Sequence, residues 1–172
     1  MDEATHISDA MRASVGRELS RLVSFPVSAS DIRRWALAVY HPEEPPRLFW
    51  DEAYARASVH GGIVAPEEFN PFAWMTAEPA GRRRAPDGGV DALERALGIR
   101  GPAVRFQLNG GLEATYGARI RPGDVITGVT RLAEYSERPG RLGLMLFTVS
   151  EATWTNQRDE WVKTSRSTLI RY

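Results

Sequence analysis

The chain has 172 residues, 42% of them apolar, which is enough for one sizeable buried core and too little for two. Basic and acidic residues number 22 each, so no overall field favours nucleic acid, and the lack of cysteine excludes disulfides, thiolate metal sites and a cysteine nucleophile. No apolar run approaches the ~18 residues of a membrane span, and Met1 to Ser20 lacks the basic-then-apolar order of a secretion signal, so a soluble cytoplasmic protein is expected.

Ile7, Met11 and Val15, spaced one helical turn apart, predict a short helix closed by Gly16. Glu18 to Val27 carries Leu19, Leu22, Val23 and Phe25 and reads as a strand. Ser28 with Asp31 makes a capping box, and Ile32, Trp35, Ala36 and Val39 fall on one stripe of the following helix, expected to end near Tyr40. His41-Pro42-Glu43-Glu44-Pro45-Pro46-Arg47 is a stiff polar loop, because its prolines remove donors and push their predecessors into extended conformations.

The chain is organised around Trp50 to Met75. Asp51 caps a helix with Ala53, Tyr54 and Ala57 on one face, and His60-Gly61-Gly62 is expected to stop it, since glycine accepts the left-handed conformation of a helix end. Ile63, Val64 and Ala65 then turn inward. A second helix begins at Pro66, with Glu67 and Glu68 at its positive end, or only at Pro71, where Asn70-Pro71 repeats the start signal. Phe69, Phe72, Trp74 and Met75 make this segment too apolar for a surface, so strands must wrap it.

Gly81 to Arg100 reads as an insertion or lid: a basic turn at Arg82 to Arg84, a Pro-Asp-Gly-Gly loop, and a short helix bearing Leu93, Ala96 and Leu97 and ended by Gly98. From Pro102 the period changes to two. Val104, Phe106 and Leu108, then Leu112, Ala114 and Tyr116, predict one long strand bulged at Asn109-Gly110-Gly111. Arg121-Pro122-Gly123-Asp124 is a tight turn, followed by strands over Val125–Tyr135, Leu142–Trp154 and Trp161–Tyr172, with turns at Arg138–Arg141 and Thr155–Asp159. The sum is a single α+β domain over 1–172: one strand, helices, then four antiparallel strands wrapping an apolar helix.

In this layout, Asp51-Glu52-x-Tyr54-Ala55-Arg56, Gly61-Gly62-Ile63-Val64-Ala65-Pro66 and Arg121-Pro122-Gly123-Asp124, in that order and spacing, resemble the hotdog fold of the MaoC-like acyl dehydratases and hydratases, particularly their N-terminal-type domain. The resemblance covers nearly the whole chain. It implies addition or removal of water across the double bond of an acyl thioester of coenzyme A or a carrier protein, as an (R)-specific enoyl-CoA hydratase or 3-hydroxyacyl thioester dehydratase of lipid metabolism. It also implies assembly as a homodimer or a heteromer with another hotdog protein, with no metal and no cofactor beyond the coenzyme A of the substrate.

The family's chemistry uses an Asp and a His in a Gly-Asp-x-Asn-Pro-x-His segment before the Asp51 helix, with the thioester oxygen held at the start of the central helix. This sequence departs from that pattern. Counting forward from Ala38-Val39 puts His41 at the Asp, whereas counting back from Asp51 puts Glu44 at the Asp and Phe49 at the His. Two readings stay open: His41 with Glu43 or Glu44 forms a rearranged acid/base pair, or these are solvated loop residues of a non-catalytic subunit whose partner supplies the dyad. A hotdog thioesterase is a third. On the resemblance, Gly61, Gly62, Ile63, Val64 and Pro66 lie near the thioester, and Tyr40, Phe49 and Trp50 are either an acyl tunnel or core. His60 is first a helix-end residue, and Arg82 to Arg84 are either coenzyme A phosphate ligands or a solvated loop.

Overall fold

A computed structural model describes residues 5–73 and 89–172. Trp74, Met75 and the arginine run at Arg82 to Arg84 lie outside that set, and no helix among the described residues is long and apolar enough to cross a membrane. The order is α1 (Asp9–Ala13), β1 (Glu18–Val23), α2 (Ala29–Tyr40), a single 3-10 turn (Arg47–Phe49), α3 (Glu52–Ala57), α4 (Ala92–Ala96) and then β2 (Gln107–Tyr116), β3 (Ile126–Gly140), β4 (Gly143–Asn156) and β5 (Trp161–Arg171). The strands form one antiparallel sheet in the order β1-β3-β4-β5-β2, so β1 and β2 are its edges.

The capping box of α2 is present, with the Asp31 N–H donating to Ser28 Oγ at 3.1 Å and the Ser28 N–H to Asp31 Oδ2 at 3.1 Å. Its stripe is narrower than the spacing predicts: Ile32 and Ala36 are buried and Trp35 is half-buried, but Val39 points to solvent at the frayed end. The helix α1 likewise keeps Met11 in the core and leaves Val15 exposed. Three further corrections concern the central stretch. α3 ends at Ala57, ahead of the glycines, because the Ser58 N–H and hydroxyl both donate to the Ala55 carbonyl and the chain turns there. Its buried residue is Ala55, while Ala53, Tyr54 and Ala57 are exposed. The segment from Pro66 to Ala73 opens as two successive turns, closed by Phe69 N–H to Pro66 O and Ala73 N–H to Asn70 O, so no α-helix starts at Pro66, since Pro71 has no N–H and holds Asn70 out of the helical region; a helix started at Pro71 would run into residues outside the described set. Phe69 and Phe72 are buried as the composition demands.

β1 stops at Val23; Val27 instead bridges to the Arg121–Asp124 turn, donating to Asp124 O and accepting from Gly123 N–H. That turn forms as expected, with Gly123 at φ 90°. β2 starts three residues later than the alternation suggests, and its bulge lies between Asn109 and Gly111. β3 and β4 are longer than expected: Pro139 still pairs with Leu144, and the hairpin turns beyond Gly140. In α4 the buried side chains are Glu94 and Leu97, with Ala96 in solvent.

Strand register sets two rows across the sheet. On the inner face Leu22, Gly128, Trp154, Lys163 and Tyr116 stand side by side, one from each strand. Gly128 leaves the gap that Phe72 fills, its ring meeting Trp154 edge-on at 5.2 Å. On the outer face Glu18, Arg131, Glu151, Arg166 and Glu113 alternate in charge across the five strands. The main core joins Ile32, Ala36, Phe49, Ala55, Phe69, Phe72 and Ile126, with Trp154 packed against it.

Candidate functional site

Ile63, Val64, Ala65 and Pro66 run buried beneath the surface, and this extended stretch is fixed from the chain just after β2. Ala65 N–H donates to Ile120 O at 2.8 Å, Arg119 donates to Ala65 O at 2.7 Å through Nη2, and the same guanidinium reaches Glu67 Oε1 at 3.2 Å. The turn that follows offers two backbone donors, Glu67 and Glu68 N–H, that meet no acceptor among the described residues.

Beside Pro66 lies a recess lined by Glu67, Tyr116, Arg119, Trp154 and Lys163. The extra residue of a bulge between β4 and β5, Val162, faces the same recess; a bulge of this kind re-aims the side chains next to it. The Lys163 ammonium sits between two aromatic faces, 5.2 Å from the Tyr116 ring centre and 4.8 Å from that of Trp154. Desolvation holds its pKa below the ordinary lysine value, and burial, with Glu68 and Glu67, raises the Tyr116 phenol. No group of three or more His, Asp or Glu side chains arranged to hold a metal is found among the described residues.

The residues singled out in the sequence fall in three places. Ile63, Val64 and Pro66 are together in the fixed stretch, and Gly61, Gly62 and Ile63 border a shallow surface hollow with Glu52, Arg56 and Pro122. Phe49 is buried in the core with the half-buried Tyr40 packed against it, their ring centres 6.1 Å apart. His41 and Glu44 are exposed, and no hydrogen bond joins them. Glu44 borders a different hollow, with Arg33, Leu37, Pro45 and Trp50, so it and Pro66 share no cavity. His60 lies beyond the α3 cap, its N–H on Ser58 Oγ. Lys163, Tyr116, Trp154 and Arg119 were not marked by sequence; the only signal was that Lys163 shares its strand parity with the inward Arg171.

A five-stranded antiparallel sheet whose inner face carries an apolar segment between α3 and the last four strands is the hotdog fold. Solved structures similar to it include the ChsH1-ChsH2 complex from Mycobacterium tuberculosis, at 22% identity over 89% of this chain and 83% of that one, TM-score 0.63. A MaoC-like dehydratase from Rhodospirillum rubrum matches at 22% identity over 89% and 90%, TM-score 0.52. The (R)-hydratase from A. caviae involved in PHA biosynthesis matches at 13% over 90% and 94%, TM-score 0.56. No curated protein sequence matches the chain. A family model described as FAS1-like, dehydratase domain region, matches residues 13–165, and the chain belongs to that family.

Proposed function

We propose that this chain is a subunit of an (R)-specific enoyl-thioester hydratase or 3-hydroxyacyl thioester dehydratase of the cytoplasm, acting on an acyl-CoA or carrier-bound acyl group and working with a hotdog partner. The observation that carries this reading is the fixed stretch Ile63 to Pro66 with the two open N–H donors of Glu67 and Glu68 directly after it. Paired backbone donors directly after a fixed stretch, beside a recess lined by both aromatic and charged side chains, suit a thioester oxygen that gains negative charge as a proton leaves the α-carbon. The base is the missing part. His41 and Glu44 stand exposed, Glu44 borders a hollow of described residues that does not include Pro66, and an acid/base group must come within hydrogen-bond reach of the proton it moves. A partner that brings its own Asp and His fills that gap, and the similar solved structure that is a complex of two named components, ChsH1-ChsH2, fits the same reading.

Hydration of a short enoyl-CoA, followed by loss of its conjugated absorbance, tests it. The protein alone is expected to be inert and to become active on addition of a hotdog partner carrying the intact dyad. In that complex His41→Ala and Glu44→Gln should leave turnover nearly unchanged. A fall of about 10²-fold or more in either variant, the size of a lost acid/base group, would place the chemistry on this chain.

A further inference from the structure

A lysine on the inner sheet face points to the kind of acyl group the site takes. Arg119 is held by Ala65 O and Glu67, and Arg171 by Glu94 and Thr148, so each of these cations has a carboxylate partner within the fold. Lys163 is different. It stands in the inner row, walled by Tyr116 and Trp154, and although Glu68 acts on it through space it forms no hydrogen bond or ion pair with any described residue. Burial of its ammonium is a cost that the aromatic faces and the Glu68 charge offset only in part. An anion placed against it would remove the rest.

The recess limits what that anion is. Its floor has room for about one water-sized group, Glu67 lines it and Glu68 acts on Tyr116 and Lys163 through space, so a bulky, multiply charged phosphate is disfavoured on both size and charge relative to a singly charged group. A carboxylate oxygen fits. We propose that Lys163 reads a carboxylate carried by the acyl chain, so that the substrates are thioesters of acidic acyl groups in place of plain fatty ones. This rests on the reading of Ile63 to Pro66 as the thioester site, because Pro66 borders the same recess and sets the carboxylate and the thioester on one ligand.

The test is calorimetric binding of glutaryl-CoA and pentanoyl-CoA, unreactive thioesters of equal chain length that differ in the terminal carboxylate, to the protein or its complex. Wild type should bind glutaryl-CoA about 10-fold or more tightly, the effect of one charge-assisted hydrogen bond, and Lys163→Met should close the gap between the two ligands. Lys163→Gln, which keeps a polar end between the rings, gives the same result if the methionine variant does not fold. Equal binding of both ligands by wild type, or a preference that survives in the variants, overturns the role of Lys163 and leaves the thioester site standing. Binding of neither overturns the thioester site itself, and this inference with it.

Discussion

Among single residues the most constrained is Arg171, fully buried at the end of β5. Its guanidinium donates to both oxygens of Glu94 at 2.7 and 2.8 Å, to Thr148 Oγ1 at 2.6 Å and to Val90 O at 2.7 Å, and the Tyr135 hydroxyl completes Glu94 at 2.7 Å. This cluster fastens α4 to the inner face of β3, β4 and β5. Removing one charge strands the other, so Arg171→Met should lower stability by about 3–5 kcal/mol, and Glu94→Leu combined with Arg171→Met should lower it by less. Chemical denaturation of the three proteins would show the order, and a double variant weaker than Arg171→Met would speak against it. The pH dependence has a definite sign. Burial alone would raise the Glu94 carboxyl, but Arg171 and Tyr135 together hold it below its ordinary value. A depressed carboxyl contributes stability above its unfolded pKa and loses it as pH falls through the folded one. The stability advantage of wild type over Glu94→Gln should therefore be full near neutrality and shrink in acid.

Elements carry the next level, and the two turns at one end of the sheet act as one device. Asp124 is 2% exposed and accepts from Arg121 N–H at 2.9 Å, from Gln157 Nε2 at 3.2 Å and from Arg158 Nη1 at 3.0 Å, so it ties the turn before β3 to the turn between β4 and β5. The first of those turns also holds Val27 ahead of α2. Asp124→Ala should cost about 1–3 kcal/mol through stranded buried donors, seen as a lower urea midpoint at unchanged slope; an unchanged midpoint would show that water replaces the carboxylate. The Pro-Gly-Asp signal was legible because turn chemistry is local. So were the Ser28 box and the Asn109–Gly111 bulge. Periodicity fixed less: Val39 and Tyr54 sit on stripes with the right spacing but the wrong phase, because which face is buried depends on neighbours distant in sequence. Glu94 with Arg171, and Lys163 with Trp154 and Tyr116, meet only through strand register, which short-range patterns cannot specify.

For the whole molecule the two faces and two edges of the sheet decide how it associates. The outer face is kept wet by the alternating row of Glu18, Arg131, Glu151, Arg166 and Glu113, whose ion pairs include Arg166 to Glu151 at 2.9 Å and Arg131 to Glu18 at 3.6 Å. Exposed pairs of this kind contribute little stability, about 0–1 kcal/mol each, but a charged ladder discourages stacking of sheet on sheet. The edges differ. β1 is short and carries the Glu18 and Arg21 pair beside its exposed Leu22 and Val23, whereas the longer β2 leaves Leu108 and Leu112 exposed, Phe106 just before it, and an unpaired strand edge on the side away from β5. An apolar, unpaired edge is a template for a further strand. Under the proposed function β2 is where a second hotdog chain docks, which would join the two sheets and bring the partner's residues toward the recess between Tyr116 and Pro66. Leu112→Lys places a charge on that edge while disturbing no buried contact, since Leu112 is 67% exposed. Sedimentation should find the wild-type chain paired, with itself or with its partner, and Leu112→Lys shifted to monomer with unchanged circular dichroism. Hydratase activity of the complex should fall in step with the loss of pairing. A variant that stays paired would remove β2 from the interface and leave the missing acid/base groups to be sought elsewhere.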